Sequence, residues 1–257
     1  MSKIIKRILL LALVFLVLSF VVSDHNNSPK EIIRKVFKGS HTNPEILRYR
    51  IYAFSIVPMG EAVFHKVETQ EFNGQSVYHI SIDAKTFNII ALFFKAAVSL
   101  DSYVDRVTSD PILFKQKISI EGKPDQEKEV SYDQKQGFMT LSGVKRQIFP
   151  HTQDPLSLMF NLRKADFAMH KDFDVAINTN NKNYILKGAI VPMQFPLGSV
   201  IYNVYRGNAD IRRREKDNPY HRSGITIWFV KERENIPILI NVFASGILAK
   251  IRLVEAK

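Results

Sequence analysis

From Glu45 onward the chain alternates apolar and polar residues with period two, in run after run, and this pattern constrains the fold more than any other feature. The runs are rich in Ile, Val, Tyr, Phe and Thr and are parted by Gly, Pro, Asn and Asp, which reads as sheet. Leu47, Tyr49, Ile51, Ala53, Ser55 and Val57 share one face of the first run, and Pro58-Met59-Gly60 is expected to end it. A second run, Glu61 to Glu71, meets a third, Ser76 to Lys85, across Asn73-Gly74, a pair that tolerates the positive φ of a type I′ hairpin turn. Further runs cover Val98 to Val107, Ile112 to Glu121, Glu127 to Tyr132, Phe138 to Leu141 and Lys145 to Phe149. Later ones cover Asp172 to Asn178, Lys182 to Val191, Gly198 to Gly207, Ser223 to Val230, Ile236 to Val242 and Ile247 to Val254. So many strands must curl or split to bury a face. The expected fold is all-β with minor helices: a strongly curved antiparallel sheet, half-barrel or barrel, with one short covering helix.

Two helices are written into the chain. Ser28-Pro29-Lys30-Glu31 has the S-x-x-E form, with Ser28 as N-cap, Pro29 at the first helical position and Glu31 able to reach back to the cap N–H. Ile32, Ile33, Val36 and Phe37 then share a face, and Gly39 supplies a stop. Asp154-Pro155 opens the second helix, reaching about Lys164, with Leu156, Met159, Phe160 and Leu162 on its apolar face.

Lys3, Lys6 and Arg7 precede the uninterrupted apolar stretch Ile8 to Val22, the charged n-region and h-region of an export signal. A spanning helix needs about 20 apolar residues, so removal is favoured over retention as an anchor. The organisation that follows is a signal peptide or N-terminal anchor over 1–23, a linker with a short amphipathic helix over 24–43 and one antiparallel β domain over 44–257. The chain has no Cys, so stability in an oxidising compartment must come from burial alone. Its formal charge of +11 suits anionic lipid or an acidic glycan as well as nucleic acid, and export argues against nucleic acid.

Two places differ chemically from the strands. Phe87 to Ala97 is densely apolar, with Phe87, Ile90, Phe93 and Phe94, and reads either as a closure of the core or as a lip over a ligand cavity. Opposed by Leu156, Met159 and Phe160 of the second helix, and with Trp228 as a further wall, it forms the candidate apolar pocket. Arg206, Arg212, Arg213, Arg214 and Arg222 form a charge run beside the turn Asp217-Asn218-Pro219. It reads either as a solvated loop or as a contact for phospholipid headgroups or an acidic partner, since guanidinium groups grip phosphate and carboxylate bidentately.

Catalytic chemistry is sparse. The 7 His show no H-E-x-x-H spacing, and G-x-S-x-G, P-loop and G-x-G-x-x-G motifs are missing, so neither a metal, a cofactor nor an enzymatic reaction is expected. His79 with Asp83, and Asp101 with Asp105, invite proton-transfer roles, but their even spacing reads as polar ladders on a strand face.

A series of patches then resembles one family. Leu47-Arg48-Tyr49-Arg50-Ile51 to Gly60-Glu61-Ala62 is similar to the first strand and turn of the exported bacterial family called domain of unknown function 3108. Tyr78-His79-Ile80, Ala84-Lys85-Thr86 and Asp101-Ser102-Tyr103-Val104-Asp105 resemble its next strands. Asp154-Pro155-Leu156-Ser157-Leu158 resembles its helix, and Ile227-Trp228, Ile236-Pro237-Ile238 and Gly246-Ile247 its C-terminal hairpins. The chain departs from the family at Phe229-Val230 and in the Arg-rich stretch Arg206 to Arg222. The resemblance implies an envelope domain of mostly antiparallel strands with no assigned reaction. The functional expectation is a periplasmic, non-enzymatic module that binds or carries a lipid-like or other apolar ligand. Its alternatives are a structural or assembly protein of the envelope acting through protein-protein contacts, and an uncharacterised hydrolase; the partners expected beside an apolar ligand are an anionic membrane surface or an envelope protein.

Overall fold

The computed structural model describes residues 28–37, 46–65, 67–92, 94–168, 171–179, 182–197, 200–213, 219–244 and 247–257, without the side chains of 88, 89, 197, 200, 213 and 219–222. The stretch expected to be signal or anchor, Phe93 and Arg214 lie outside the described residues.

Fifteen strands form one antiparallel sheet, with order β10-β11-β12-β13-β14-β15-β1-β2-β4-β5-β6-β7-β8-β9 and β3 pairing β4 off that path. The strands are β1 Leu47–Ala53, β2 Val57–Phe64, β3 Glu68–Phe72, β4 Gln75–Thr86, β5 Ala96–Asp105, β6 Pro111–Ile120, β7 Gln126–Asp133 and β8 Phe138–Leu141. They continue as β9 Val144–Gln147, β10 Asp172–Thr179, β11 Lys182–Leu197, β12 Val200–Arg213, β13 Pro219–Val230, β14 Ile236–Ala244 and β15 Ile247–Ala256. Among the described residues the α-helices are α1 Pro29–Val36, which precedes the strands, and α2 Asn88–Ala91 and α3 Pro155–Lys164, which lie between them.

Curvature follows from what α3 touches. It packs on β4 and β5 and also on β10, which stand far apart in the strand order, so the sheet curls around it. The ladder itself stays open between β9 and β10. One parallel bridge spans that gap: Gln153 N–H donates to Ala176 O (2.9 Å), and Asn178 N–H donates to Gln153 O (2.7 Å). The molecule is therefore an open barrel.

The interior is packed with side chains from both walls and from α3. Leu156 and Phe160 join Tyr49, Phe64, Ile80, Val104 and Met139 in the largest core cluster. Met159 and Leu162 pack against Phe167, Tyr205, Ile227 and Phe229. Asp154 caps α3, accepting from Leu156 N (2.7 Å) and Ser157 N (3.0 Å), while Ser157 Oγ accepts from Asp154 N. α1 packs on β14, β15 and β11 at the other helix site, where the β14–β15 ladder has already ended at Leu239 and Arg252 while both strands run on. Ile32, Ile33 and Phe37 are buried there. Ser28 Oγ accepts from Glu31 N (3.3 Å) as expected, but the Glu31 carboxylate pairs with Arg34 (2.8 Å) instead of returning to the cap.

Several strand boundaries differ from the sequence pattern: the run Glu61 to Glu71 is split between β2 and β3, and β11 and β12 run on to Leu197 and Arg213. Phe54 and Ser55 adopt left-handed φ of 51° and 66° and turn the chain before Pro58, which then sits inside β2. Pro58 is tolerated there because it faces Tyr52 at a bulge in the β1–β2 register. The charge run differs too: Arg206 and Arg212 lie in β12, not in a solvated loop, because the β11 ladder pairs β12 as far as Arg213.

Candidate functional site

The registers fix which connections share an end of the barrel. Ala53 pairs with Val57 and with Ala249, Gly60 with Thr86, Ala96 with Ile120 and Ala244 with Ile247. The β14–β15, β1–β2, β4–β5 and β6–β7 connections therefore emerge on one rim, the first three side by side in the strand order. α1 and the β13–β14 turn occupy the other end, where Phe37 lies under the Arg233 guanidinium and Ile46 pairs with Lys257.

That rim carries an arc of exposed apolar side chains: Phe54 57%, Ile56 41%, Leu92 80%, Phe94 48% and Ile247 53% exposed. Phe54, in the β1–β2 turn, has backbone in the left-handed region (φ 51°), a strained conformation for a bulky residue. Gly60 lets β2 approach β4 behind the arc, since a Cβ there would stand 2.3 Å from Lys85 O. Phe87, whose N–H donates to Met59 O (3.0 Å), lies half-buried under the Arg50 guanidinium, 5.3 Å from its ring centre. Ile90 is half-buried in α2.

The structure separates the seven described residues of the eight expected to line one pocket. Phe160 meets Tyr78 at 5.1 Å between ring centres, whereas Phe87 lies at the far end of β4. From Tyr78 to Phe87 the strand runs about 30 Å at roughly 3.3 Å per residue. Leu156 and Phe160 are core, and Met159 is partly buried against it. Trp228 points away from α3: its neighbours Ile227 and Phe229 pack with Met159, so the indole takes the opposite face of β13. The rim arc was missed in part because Phe54, Ile56 and Ile247 sit in turns or at a strand start. The available signal was that Phe54 and Ile56 are apolar on the face opposite Ala53, Ser55 and Val57.

Of the five arginines, only Arg206 and Arg212 have described side chains. Arg206 and Arg212 share the outer face of β12 but stand about 20 Å apart along the strand. Arg212 lines a shallow hollow of about 560 Å³ whose lining also includes Asp172, Asp174, Asp210 and Lys187, so the hollow carries charges of both signs. Arg213 and Arg222 lie in β12 and β13, their side chains outside the description. A second hollow of about 270 Å³ opens on the outer face between β2, β4 and β5, lined by Glu61, His65, Asp83, Lys85 and Ser99. Its charges pair among themselves: His65 with Asp83 (2.9 Å) and Lys85 with Glu61 (3.2 Å).

Proton-transfer candidates pair across strands, not along them. His79 Nε2 bonds Asp101 (2.8 Å), and the Asp105 carboxylate takes Gln75 and the backbone N–H groups of Val107 and Thr108. The buried polar centre lies at the foot of α3, where Ser102 Oγ donates to Asp154 Oδ2 (2.6 Å). Burial pushes the Asp154 carboxyl up, and bonds from Ser102, Ser157 and Leu156 pull it back. This carboxylate is committed as a helix cap. Among the described residues no cluster of three or more His, Asp or Glu could hold a metal ion, and no helix is long and apolar enough to cross a membrane.

The fold has a solved counterpart. The crystal structure of a beta-barrel-like protein of domain of unknown function DUF1849 from Brucella abortus is similar at a TM-score of 0.57 and 12% identity, covering 84% of this chain and 99% of that one. At that identity the likeness concerns the fold alone. No curated protein matches the chain significantly. The sequence profile described as "Protein of unknown function (DUF3108)" matches residues 48–245, and the chain belongs to that family.

Proposed function

We propose that the protein is a non-enzymatic module of the cell envelope that binds a lipid-like or other apolar ligand, and that the rim arc is where it does so. One observation carries this reading: five large apolar side chains from three neighbouring connections stand in solvent at one end of the barrel, while the interior beside α3 is filled. Several large apolar side chains exposed on neighbouring connections at one end of a barrel mark a candidate interaction site. The export signal read in Lys3 to Val22 supports an envelope location. The second reading, an assembly protein, draws on β9, the terminal strand of the ladder, whose four residues are all exposed.

Titration with a fluorescent lysolipid below its micelle concentration tests the first reading. Replacing Leu92 and Phe94 together by Ser should weaken binding about tenfold or more, since each forfeits much of a buried apolar side chain in the complex. Both are exposed, so the melting temperature should barely move. Phe160→Ala should behave in the opposite way, losing about 3–5 kcal/mol of stability with unchanged affinity per folded molecule. Equal affinity of the Leu92/Phe94 variant and the parent sinks the reading.

A further inference from the structure

The arc's shape and charge identify what it meets, given that the rim is the ligand contact. Its apolar groups stand on convex tips, Phe54 and Ile56 on a tight turn, Leu92 and Phe94 after the single turn of α2, and Ile247 at the start of β15. Separate protruding tips suit a fluid surface that closes around each one, whereas a folded protein partner would have to supply a matching hole for each. Basic groups stand one step behind the tips: Arg50 beside Phe87 and Lys95 directly after Phe94, both exposed, while Lys85 near the end of β4 is paired with Glu61 (3.2 Å). This order, apolar groups outermost and cations behind, is that of an interfacial membrane anchor, in which Lys and Arg meet headgroups while the apolar side chains enter the acyl boundary. The chain's charge of +11 favours an anionic surface over a neutral one.

We propose that the rim arc Phe54, Ile56, Leu92, Phe94 and Ile247 is a docking surface for an anionic lipid bilayer, with Arg50 and Lys95 at headgroup level. α1 lies at the opposite end of the barrel, so the point where the N-terminal segment joins the domain faces away from the docked surface. If the apolar segment Ile8 to Val22 remains in a membrane, the rim reaches toward a second surface.

The chain has no Cys, so one introduced thiol is unique and reports locally even though Ile8 to Val22 can itself bind lipid. Leu92→Cys, Phe54→Cys and, at the opposite end, Val107→Cys, which is 92% exposed, are each labelled with an environment-sensitive fluorophore in the full chain. On adding vesicles of phosphatidylglycerol with phosphatidylcholine, the labels at 92 and 54 should brighten severalfold and shift to the blue, the label at 107 should not, and raised salt should reverse the change. Labels that respond to lysolipid monomers but not to vesicles overturn the bilayer proposal and leave the ligand reading standing. Silence to both sinks both. An equal response to pure phosphatidylcholine, or an equal response at 107, also overturns the proposal.

Discussion

Asp154 holds α3 in place through one buried carboxylate that accepts two backbone N–H groups and the Ser102 hydroxyl on β5. Removing it by Asp154→Ala leaves those donors unpaired in the interior and should cost about 1–3 kcal/mol. Asp154→Asn keeps an acceptor for the helix, and the Ser102 hydroxyl can rotate, so it should cost less. The two forms also differ in pH response. Burial raises the Asp154 carboxyl above its unfolded value of about 3.9, so the folded state holds that proton more tightly than the unfolded state. Its contribution to stability is then full below the unfolded value and fades as pH rises through the folded one. Asparagine does not titrate. Urea unfolding from pH 4 to pH 7 should show the parent's advantage over Asp154→Asn shrinking as pH rises, and an advantage independent of pH would mean that the carboxyl is not destabilised by burial.

At the scale of elements, α1 is a structural part of the barrel and not a tether lying on its surface. Ile33 is fully buried against β14 and β15, and Ile33→Ala should lower unfolding free energy by about 2–5 kcal/mol in chemical denaturation. A change within experimental error would make α1 peripheral. Elements with a local chemical signature were legible in the sequence. Asp154-Pro155 marked the start of α3, and Asn73-Gly74 marked a hairpin whose residues take φ of 51° and 75°. The β1–β2 turn was not legible, because Phe54-Ser55-Ile56 has no Gly, Pro, Asn or Asp, its one turn-favouring residue Ser55 fitted the strand alternation, and Pro58 looked like the stop. Nor could the pattern show that Phe87 and Phe160 stand at different heights of the barrel, because height depends on strand register, which pairing sets and periodicity does not.

For the whole molecule, the curl of one sheet around α3 leaves two unlike ends. One is closed by α1 and by Tyr49, whose hydroxyl donates to Pro237 O (3.0 Å) across the divergence of β14 and β15. The other presents the apolar arc. This polarity separates a surface-binding module from a carrier that encloses its cargo, because a carrier would place its contacts along α3 and inside the walls. A photoreactive lysolipid bound to the full chain, irradiated and mapped by peptide mass spectrometry, distinguishes the two directly. Adducts should fall at 54–56, 90–95 and 247–249. Adducts at Leu156 to Phe160 or at Trp228, with the rim unlabelled, would contradict the account.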